Sequence, residues 1–264
     1  TCALSKSTFS ENIDGDRKFF AAAADAQRSR RNATEPPPLP PVGEGDDLSS
    51  GLVDAASEYA DWTYIYVPYC TGDLHWGNAT VTYQGGVTIE HRGAVNADAA
   101  ASWMRTELPT PDVLLVSGCS AGAYGSLLWG ARLARTYVPR GTRLVQFGDS
   151  GVGVVTDGFI RDAYPGWNTA AAFPWEIVPA EVAGGRTNDE LGTSGLSLLD
   201  LYGYAAAAYP TAMWSQYTSA YDENQAFFYE VMVDGNAKRG ETTLAQKVGW
   251  HQRMRAMYDP SSTA

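Results

Sequence analysis

The sequence has few of the residues on which metal centres, disulfide frameworks and nucleic-acid interfaces depend. Only three cysteines and three histidines occur in 264 residues, and Cys2, Cys70 and Cys119 lack the close spacing of metal ligands. Acidic residues outnumber basic ones, 30 against 19, which gives a formal net charge of −11. That balance argues against nucleic-acid binding. No apolar run approaches the roughly 20 residues of a transmembrane helix.

The chain does have enough apolar residues to bury a core. They make up 44% of the sequence, and a single domain over residues 1–264 is the simplest prediction for this length. A helix is predicted at 19–26, whereas the proline-rich stretch at 35–41 predicts an extended segment within a loop near 35–50. That loop fits a surface connection or, alternatively, a recognition motif for a proline-binding module.

Beyond the first 50 residues, short strands alternate with helices. Strands are predicted at 62–68, 113–116, 142–147 and 211–218, and a hairpin at 81–90. Helices are predicted at 94–108, 198–208 and 244–258. Residues 152–200, rich in glycine, proline and aromatic residues, predict an irregular or helical cap over a site. The alternation of strands and helices predicts an α/β fold with a largely parallel central sheet.

The most informative stretch reads GCSAG at 118–122 and lies between an apolar strand and a helical pattern. A G-x-S-x-G pattern in that context predicts a nucleophile elbow, in which Ser120 occupies a strained turn and needs small neighbours. The amide of Ala121 would then point at the oxyanion of an acyl-transfer intermediate. The alternative is a glycine-rich turn that only links strand to helix. Cys119 is predicted to be a small buried filler.

A serine hydroxyl becomes a good nucleophile when an imidazole, held by a carboxylate, takes its proton. In α/β-hydrolases the chain order is Ser, acid, His, which selects Ser120, Asp222 and His251. Asp222 fits, because it lies just past a late predicted strand. Asp149 is a second candidate acid, a candidate substrate-binding residue, or a structural cap of backbone amides. His251 fits less well, since the pattern places it in mid-helix, where a partly buried structural histidine is the alternative.

The loop at 69–78 mixes hydroxyls, a carboxylate, an imidazole and aromatic residues. Functional residues concentrate on loops at strand ends, so Thr71 and Asp73 are predicted to bind substrate. The two histidines that precede the elbow, His75 and His91, could line the pocket, but a role as base would need a different chain order.

These motifs resemble the pectin acetylesterase/Notum family. In the family's order, they are VPYCTGD at 67–73, GCSAG at 118–122, DSG at 149–151 and YDENQ at 221–225. The resemblance implies a three-layer α/β-hydrolase-like fold, a serine esterase mechanism, no cofactor, and a secreted or periplasmic location. By position, Ser120 resembles the nucleophile, Asp222 the acid, and the Ala121 amide one oxyanion donor. The implied substrate is an acetyl ester on a polysaccharide such as pectin, with small acyl esters or lipid esters as alternatives.

Two segments of the family are expected to lie outside the 264 residues. One is a glycine-rich segment that completes the oxyanion hole, whose tail Thr1 and Cys2 resemble; the other is a loop with the catalytic histidine. We therefore expect a partial domain with missing terminal elements, weak or inactive by itself. The alternative is a binding module that retains the pocket.

Two further expectations concern cysteines and tryptophans. Cys2 and Cys70 could pair with each other or with cysteines elsewhere. Stacking on sugar rings or lining of an acyl pocket is predicted for Trp76, Trp167 and Trp175, with ordinary core packing as the alternative.

Overall fold

The computed structural model describes residues 59, 61–83, 86–151, 153–194, 196–235, 237–238 and 240–258. The predicted helix at 19–26 and the proline-rich stretch at 35–41 lie outside these residues. The chain divides into two compact units, one of residues 10–70 and one of residues 71–264 together with 1–9. The single domain over 1–264 stays a prediction.

In the smaller unit, the strand predicted at 62–68 is wrong, because residues 61–70 adopt no strand. The local contacts are those of an aromatic turn. The amide of Trp62 donates to the carbonyl of Tyr59 at 2.9 Å, and the two rings meet edge to face at 5.1 Å between centroids. The Tyr64 hydroxyl donates to the same carbonyl at 2.6 Å. Aromatic and β-branched residues favour strands only where a sheet gives them neighbours to pack on.

The predicted hairpin and the helix after it are confirmed in the larger unit. Strand β1 (Ala79–Thr82) pairs antiparallel with β2 (Thr88–His91). Helix α1 (Gly93–Glu107) follows at once. Its buried residues recur at the three- and four-residue spacing of one helix face: Gly93, Ala94, Ala97, Ala101 and Met104.

Three strands form a parallel sheet, which confirms the predicted α/β fold. They are β3 (Val113–Cys119), β4 (Arg143–Asp149) and β5 (Met213–Tyr217), in the order β3-β4-β5. The register sets Cys119 opposite Asp149, and Asp149 opposite Tyr217. The carboxyl ends of all three strands therefore lie level at one edge, where ligands bind in open α/β sheets.

Helix α2 (Ala121–Tyr137) connects β3 to β4 and packs on the sheet. Small residues let it approach closely: a Cβ on Gly130 would lie 3.1 Å from Gln146 and 3.2 Å from Trp214. The side-chain amide of Gln146 is fully buried and lies 2.8 Å from the Ser126 hydroxyl and 3.3 Å from the Tyr202 hydroxyl. This polar contact fixes the helix over the middle strand.

The connection from β4 to β5 is helical, as predicted for 152–200. It contains α3 (Asp157–Gly166), the short helices α4 (Ala180–Ala183) and α5 (Asn188–Thr193), and α6 (Leu198–Ala208). Helix α6 has the predicted bounds, because Ser197 and Asp200 form a capping box at its start. The position of this region as a cap over a site stays a prediction.

Two helices follow β5. Helix α7 (Glu223–Val233) was not predicted, although Asp222 with Gln225 three residues later is a recognisable start signal. Helix α8 (Leu244–Tyr258) has the predicted bounds. The two pack through a small core of Val154, Ala226, Trp250 and Met254. No helix in the described part of the chain combines the length and apolar composition that crossing a bilayer requires.

Candidate active site

Ser120 occupies a strained turn between β3 and α2. Its backbone has φ 53° and ψ −115°, a sparsely populated conformation that costs on the order of 1–3 kcal/mol for a residue with a Cβ. The turn is held on both sides: the Ser120 amide donates to the Asp149 carbonyl at 2.8 Å, and the Ser120 carbonyl accepts from the Ala123 amide at 2.9 Å. A serine on such a strand-to-helix turn has the setting that a nucleophile elbow requires; the role of Ser120 as nucleophile stays a prediction.

The two glycines of the pattern have different roles in the turn. A Cβ on Gly118 would lie 2.5 Å from the carbonyl carbon and oxygen of Gly122, which are backbone atoms with no room to yield. A Cβ on Gly122 would meet nothing within 4 Å. The sequence predicted that both neighbours must be small, but only Gly118 is required by the packing of the turn.

The first turn of α2 is the positive end of that helix's dipole. No side-chain cap accepts a hydrogen bond from this turn among the described residues, so its amides carry the positive end of the helix dipole without a side-chain partner. The amide of Ala121 is the first of them after Ser120. Its role as an oxyanion donor stays a prediction, for which this geometry is suitable.

Asp149 ends the neighbouring strand and leads into a second unusual turn. Ser150 has a positive φ of 56°, and its amide donates to the Tyr217 carbonyl at 2.7 Å. The Ser150 hydroxyl donates to the Asp149 Oδ1 at 2.9 Å. The carboxylate therefore has a local hydrogen-bond donor at the edge of the sheet that carries Ser120.

Asp222 caps α7, and that helix is tied to α2. The Asp222 Oδ1 accepts from the Gln225 amide at 2.9 Å. The side-chain oxygen of Gln225 in turn accepts from the Tyr124 hydroxyl at 3.3 Å. Because Tyr124 lies one helical turn beyond Ser120, this contact joins the helix that follows the candidate nucleophile to the helix that begins after the candidate acid.

Both candidate acids affect the pKa of the Cys119 thiol. Partial desolvation raises the pKa of this thiol, and the negative charges of Asp149 and Asp222 raise it further. The two carboxylates therefore act on the residue directly before Ser120. The prediction that Cys119 is buried is wrong, because this residue is exposed. Neither Cys119 nor Cys70 forms a disulfide with another described residue. A pairing that involves Cys2 lies outside the described residues.

Asp73 organises the loop at 71–77 from inside. Its carboxylate is fully buried and accepts hydrogen bonds from the Thr71 hydroxyl at 2.6 Å and the Gly93 amide at 2.7 Å. The amides of His75 and Gly77 each donate to it at 3.1 Å. A Cβ on Gly93 would collide with the carboxylate. These contacts support a positioning role for Asp73; substrate contact by Thr71 and Asp73 stays a prediction.

The same loop is fastened to α2. The Trp76 indole donates to the Tyr124 carbonyl at 3.1 Å, and the Trp129 indole donates to the His75 carbonyl at 2.9 Å. Leu74 and His75 both have positive φ, 57° and 64°, so the loop is bent tightly to make these contacts. Nothing in the sequence except the mixed composition of the loop indicated this link.

Buried tryptophans rule out two predicted contacts with sugar. Trp76 has no exposed surface and Trp167 is 3% exposed, so the prediction that they stack on sugar rings is wrong. Their indoles are held within the core by aromatic and hydrogen-bonding neighbours. Trp175 is half-buried, and its indole donates to the Ala170 carbonyl at 2.9 Å.

His91 is a buried structural residue. Its Nδ1 lies 2.7 Å from the Thr71 carbonyl oxygen, and its Nε2 lies 2.7 Å from the Tyr83 hydroxyl. A carbonyl can only accept, so Nδ1 carries the proton and Nε2 accepts from the tyrosine. Burial lowers the pKa of His91, while the Thr71 carbonyl and the charges of Asp73 and Glu90 oppose this effect.

His251 lies beside the loop that leads to Asp222. Its ring stacks on Tyr221 with 4.7 Å between centroids and 27° between the planes. Its Nδ1 is buried without a hydrogen-bond partner among the described residues. The histidine that sequence order selected therefore contacts the residue directly before the candidate acid.

Comparison with known proteins identifies the relationship that the motifs predicted. Residues 48–160 match the family model of the pectinacetylesterases. The match includes the loop at 71–77, the turn at Ser120 and the Asp149 turn, whereas Asp222 lies beyond it. The resemblance to the pectin acetylesterase/Notum family is thereby confirmed, and the matched family is one of acetylesterases. No curated protein and no solved structure matches the chain.

Proposed function

We propose that the protein is a serine esterase that hydrolyses an acyl ester, most simply an acetyl ester on a polysaccharide such as pectin. The observation that carries the proposal is the backbone of Ser120, held at φ 53° and ψ −115° between a parallel strand and a helix. The match to pectinacetylesterases supports an ester as the bond that is broken. Because such polysaccharides occur outside the cytoplasm, we also propose a secreted or periplasmic location.

The proposed reaction proceeds through an acyl-serine intermediate. The Ser120 oxygen bonds to the ester carbonyl carbon while its proton passes to a general base. The carbonyl oxygen becomes an oxyanion, which accepts a hydrogen bond from the Ala121 amide. The alcohol leaves with a proton, and water then hydrolyses the acyl-serine. One oxyanion donor contributes roughly 2.7–4 kcal/mol of transition-state stabilisation.

Asp222 is the proposed acid that orients the base. Its carboxylate accepts from the Gln225 amide at 2.9 Å, and this contact supports a fixed position relative to α7. The base of such a triad is an imidazole, for which sequence order selects His251. Asp149 is the second candidate acid. Substrate contacts by Thr71, Asp73 and Asp149 remain part of the proposal.

A fluorophosphonate probe tests the central claim, because it phosphonylates only an activated serine with loss of fluoride. We expect labelling of Ser120, located by peptide mass spectrometry, that is slow, as expected of a weakly active chain, and is lost in Ser120→Ala. Hydrolysis of p-nitrophenyl acetate and release of acetate from acetylated pectin are the accompanying measurements.

Ser150 supplies a matched control. It follows the next strand of the sheet and also has a positive φ, 56°, so Ser150→Ala removes a hydroxyl from a similar turn without removing the candidate nucleophile. Labelling that persists in Ser120→Ala, or is lost in Ser150→Ala instead, would refute the assignment. A folded chain that binds acetylated polysaccharide but is not labelled would be a binding module, the alternative to an enzyme. Turnover of p-nitrophenyl esters alone would indicate small acyl or lipid esters.

A further inference from the structure

Two tyrosines near the edge of the sheet that carries Ser120 are more than half exposed. Tyr217 ends β5 and is 57% exposed, and Tyr221, directly before Asp222, is 54% exposed. Large aromatic side chains are usually well buried. Exposed aromatic surface next to a candidate active site therefore indicates a binding surface.

Tyr221 is held in place by the residue beneath it. The stacked ring of His251, 4.7 Å away between centroids, covers one face of the tyrosine. Helix α8, which carries His251, is fixed to α7 through the ion pair between Lys247 and Glu223 at 3.1 Å and through buried Trp250. We call the Tyr221 ring with His251 beneath it the Tyr221 platform. A surface that is already ordered loses little entropy when a ligand binds.

The two tyrosines each have a carboxylate as a direct neighbour, one in the chain and one in the sheet. Asp222 follows Tyr221 directly, and Asp149 lies opposite Tyr217 in the sheet register. The nearby Glu223 is paired with Lys247, and the chain as a whole has a formal net charge of −11. Carboxylates within a Debye length of about 8 Å repel a polyanion at physiological salt. An uncharged ligand avoids this repulsion.

We propose that the Tyr221 platform, together with Tyr217, binds the apolar face of an uncharged pyranose in an acylated polysaccharide, and so presents the neighbouring ester to Ser120. This inference rests on the proposed esterase function and specifies its substrate class. The C–H groups of a pyranose face form an apolar surface that packs on an aromatic ring. The substrates are neutral acetylated polysaccharides, or pectin whose carboxyl groups are methyl-esterified, rather than polygalacturonate.

The test is affinity gel electrophoresis of the full chain carrying Ser120→Ala, which cannot turn the polymer over. Acetylated glucomannan in the gel is expected to retard this protein, and polygalacturonate is not. Adding Tyr221→Ala is expected to weaken the apparent affinity for glucomannan about fivefold, which corresponds to an ordinary aromatic contact. Tyr221→Phe keeps the ring and should retain the affinity within about twofold.

Trp103→Ala is the matched control, because Trp103 is an aromatic residue on α1 that is 51% exposed and takes no part in the platform. It should leave the retardation unchanged. His251→Ala, which removes the supporting ring, should weaken binding less than Tyr221→Ala does. Urea denaturation of each variant verifies that the protein is folded.

Three results would overturn the proposal: no retardation by glucomannan, equal retardation of the Tyr221→Ala protein, or equal retardation by polygalacturonate. Binding here needs no catalysis, so its outcome is independent of labelling at Ser120. Retardation that depends on Tyr221, with no labelling of Ser120, would refute the esterase function and keep the platform. Labelling of Ser120 without retardation would support the esterase function and refute the platform.

Discussion

The backbone amide of Ser120 donates a 2.8 Å hydrogen bond to the carbonyl oxygen of Asp149. The strained turn after β3 is thus fastened to the end of β4. The same link is repeated one strand further, where the Ser150 amide donates to the Tyr217 carbonyl at 2.7 Å. The turn after each of these strands is thus hydrogen-bonded to the end of the next strand in the sheet. The position of the candidate nucleophile therefore depends on the register of the parallel sheet.

Gly118→Ala is expected to disrupt the turn at Ser120. The new Cβ would lie 2.5 Å from the backbone of Gly122, and forced overpacking costs typically about 1–3 kcal/mol. Urea denaturation should show that loss, and fluorophosphonate labelling of Ser120 should disappear. Gly122→Ala is the control: with nothing within 4 Å of its Cβ, its free energy of unfolding should be unchanged or higher, because alanine favours helix. Equal destabilisation by both substitutions would contradict this account.

Asp222 combines a structural and a proposed chemical role, and two substitutions separate them. Asp222→Ala removes the cap of α7 and should lower the free energy of unfolding by about 1 kcal/mol. Asp222→Asn keeps an acceptor for the Gln225 amide and should cost far less. Both should lower kcat/KM for p-nitrophenyl acetate, by up to about 10⁴-fold for the asparagine. Full activity of Asp222→Asn would shift the role of acid to Asp149.

The thiol of Cys119 reports on the charge at this edge of the sheet. Since the carboxylates of Asp149 and Asp222 both raise its pKa, Asp149→Asn and Asp222→Asn should each lower that pKa. The measurement is the pH dependence of iodoacetamide modification of the Cys119 peptide, followed by mass spectrometry. A pH profile that neither substitution moves would show that the two charges do not reach the thiol.

Asp73→Ala should be among the most destabilising substitutions in the chain. It leaves four buried donors without their acceptor, those of Thr71, His75, Gly77 and Gly93, and one such group costs about 1–3 kcal/mol. We expect a loss of more than about 3 kcal/mol in urea denaturation. The control is Asp98→Ala, whose half-exposed carboxylate lies 3.8 Å from Arg132 and should contribute less than about 1 kcal/mol.

Stability should fall as the pH is lowered from 7.5 to 5.5. Burial lowers the pKa of His91 and of His75 from the ordinary value of 6.5. In this pH range the unfolded chain therefore binds protons that the folded chain does not, which favours unfolding. Above pH 6.5 these histidines are mainly neutral in both the folded and the unfolded chain, so their effect on the free energy of unfolding is no longer destabilising. Urea midpoints across this range should have a smaller pH slope in His91→Gln than in the unsubstituted chain; an unchanged slope would remove His91 from the explanation.

Local sequence signals determined much of the fold. The bounds of α6 and α8 were predicted because periodicity and caps act within a few residues. The turn at Ser120 was predicted because glycine, serine and a flanking apolar strand leave few other structures. Helix α7 could have been predicted from the Asp222 and Gln225 signal. The strand predicted at 62–68 was wrong because propensity without a paired neighbour does not define a strand.

The tertiary structure decided which side chains are available for chemistry. Trp76 and Trp167 have the residue type of sugar-binding residues but are buried, whereas Tyr221 is exposed, and no local pattern distinguishes these positions. The buried carboxylate of Asp73, the exposure of Cys119 and the stacking of His251 on Tyr221 follow from contacts between distant segments. The sequence by itself determined a strand, a strained serine turn and a helix, since these need only neighbouring residues. Only packing across the sheet decided what surrounds that serine.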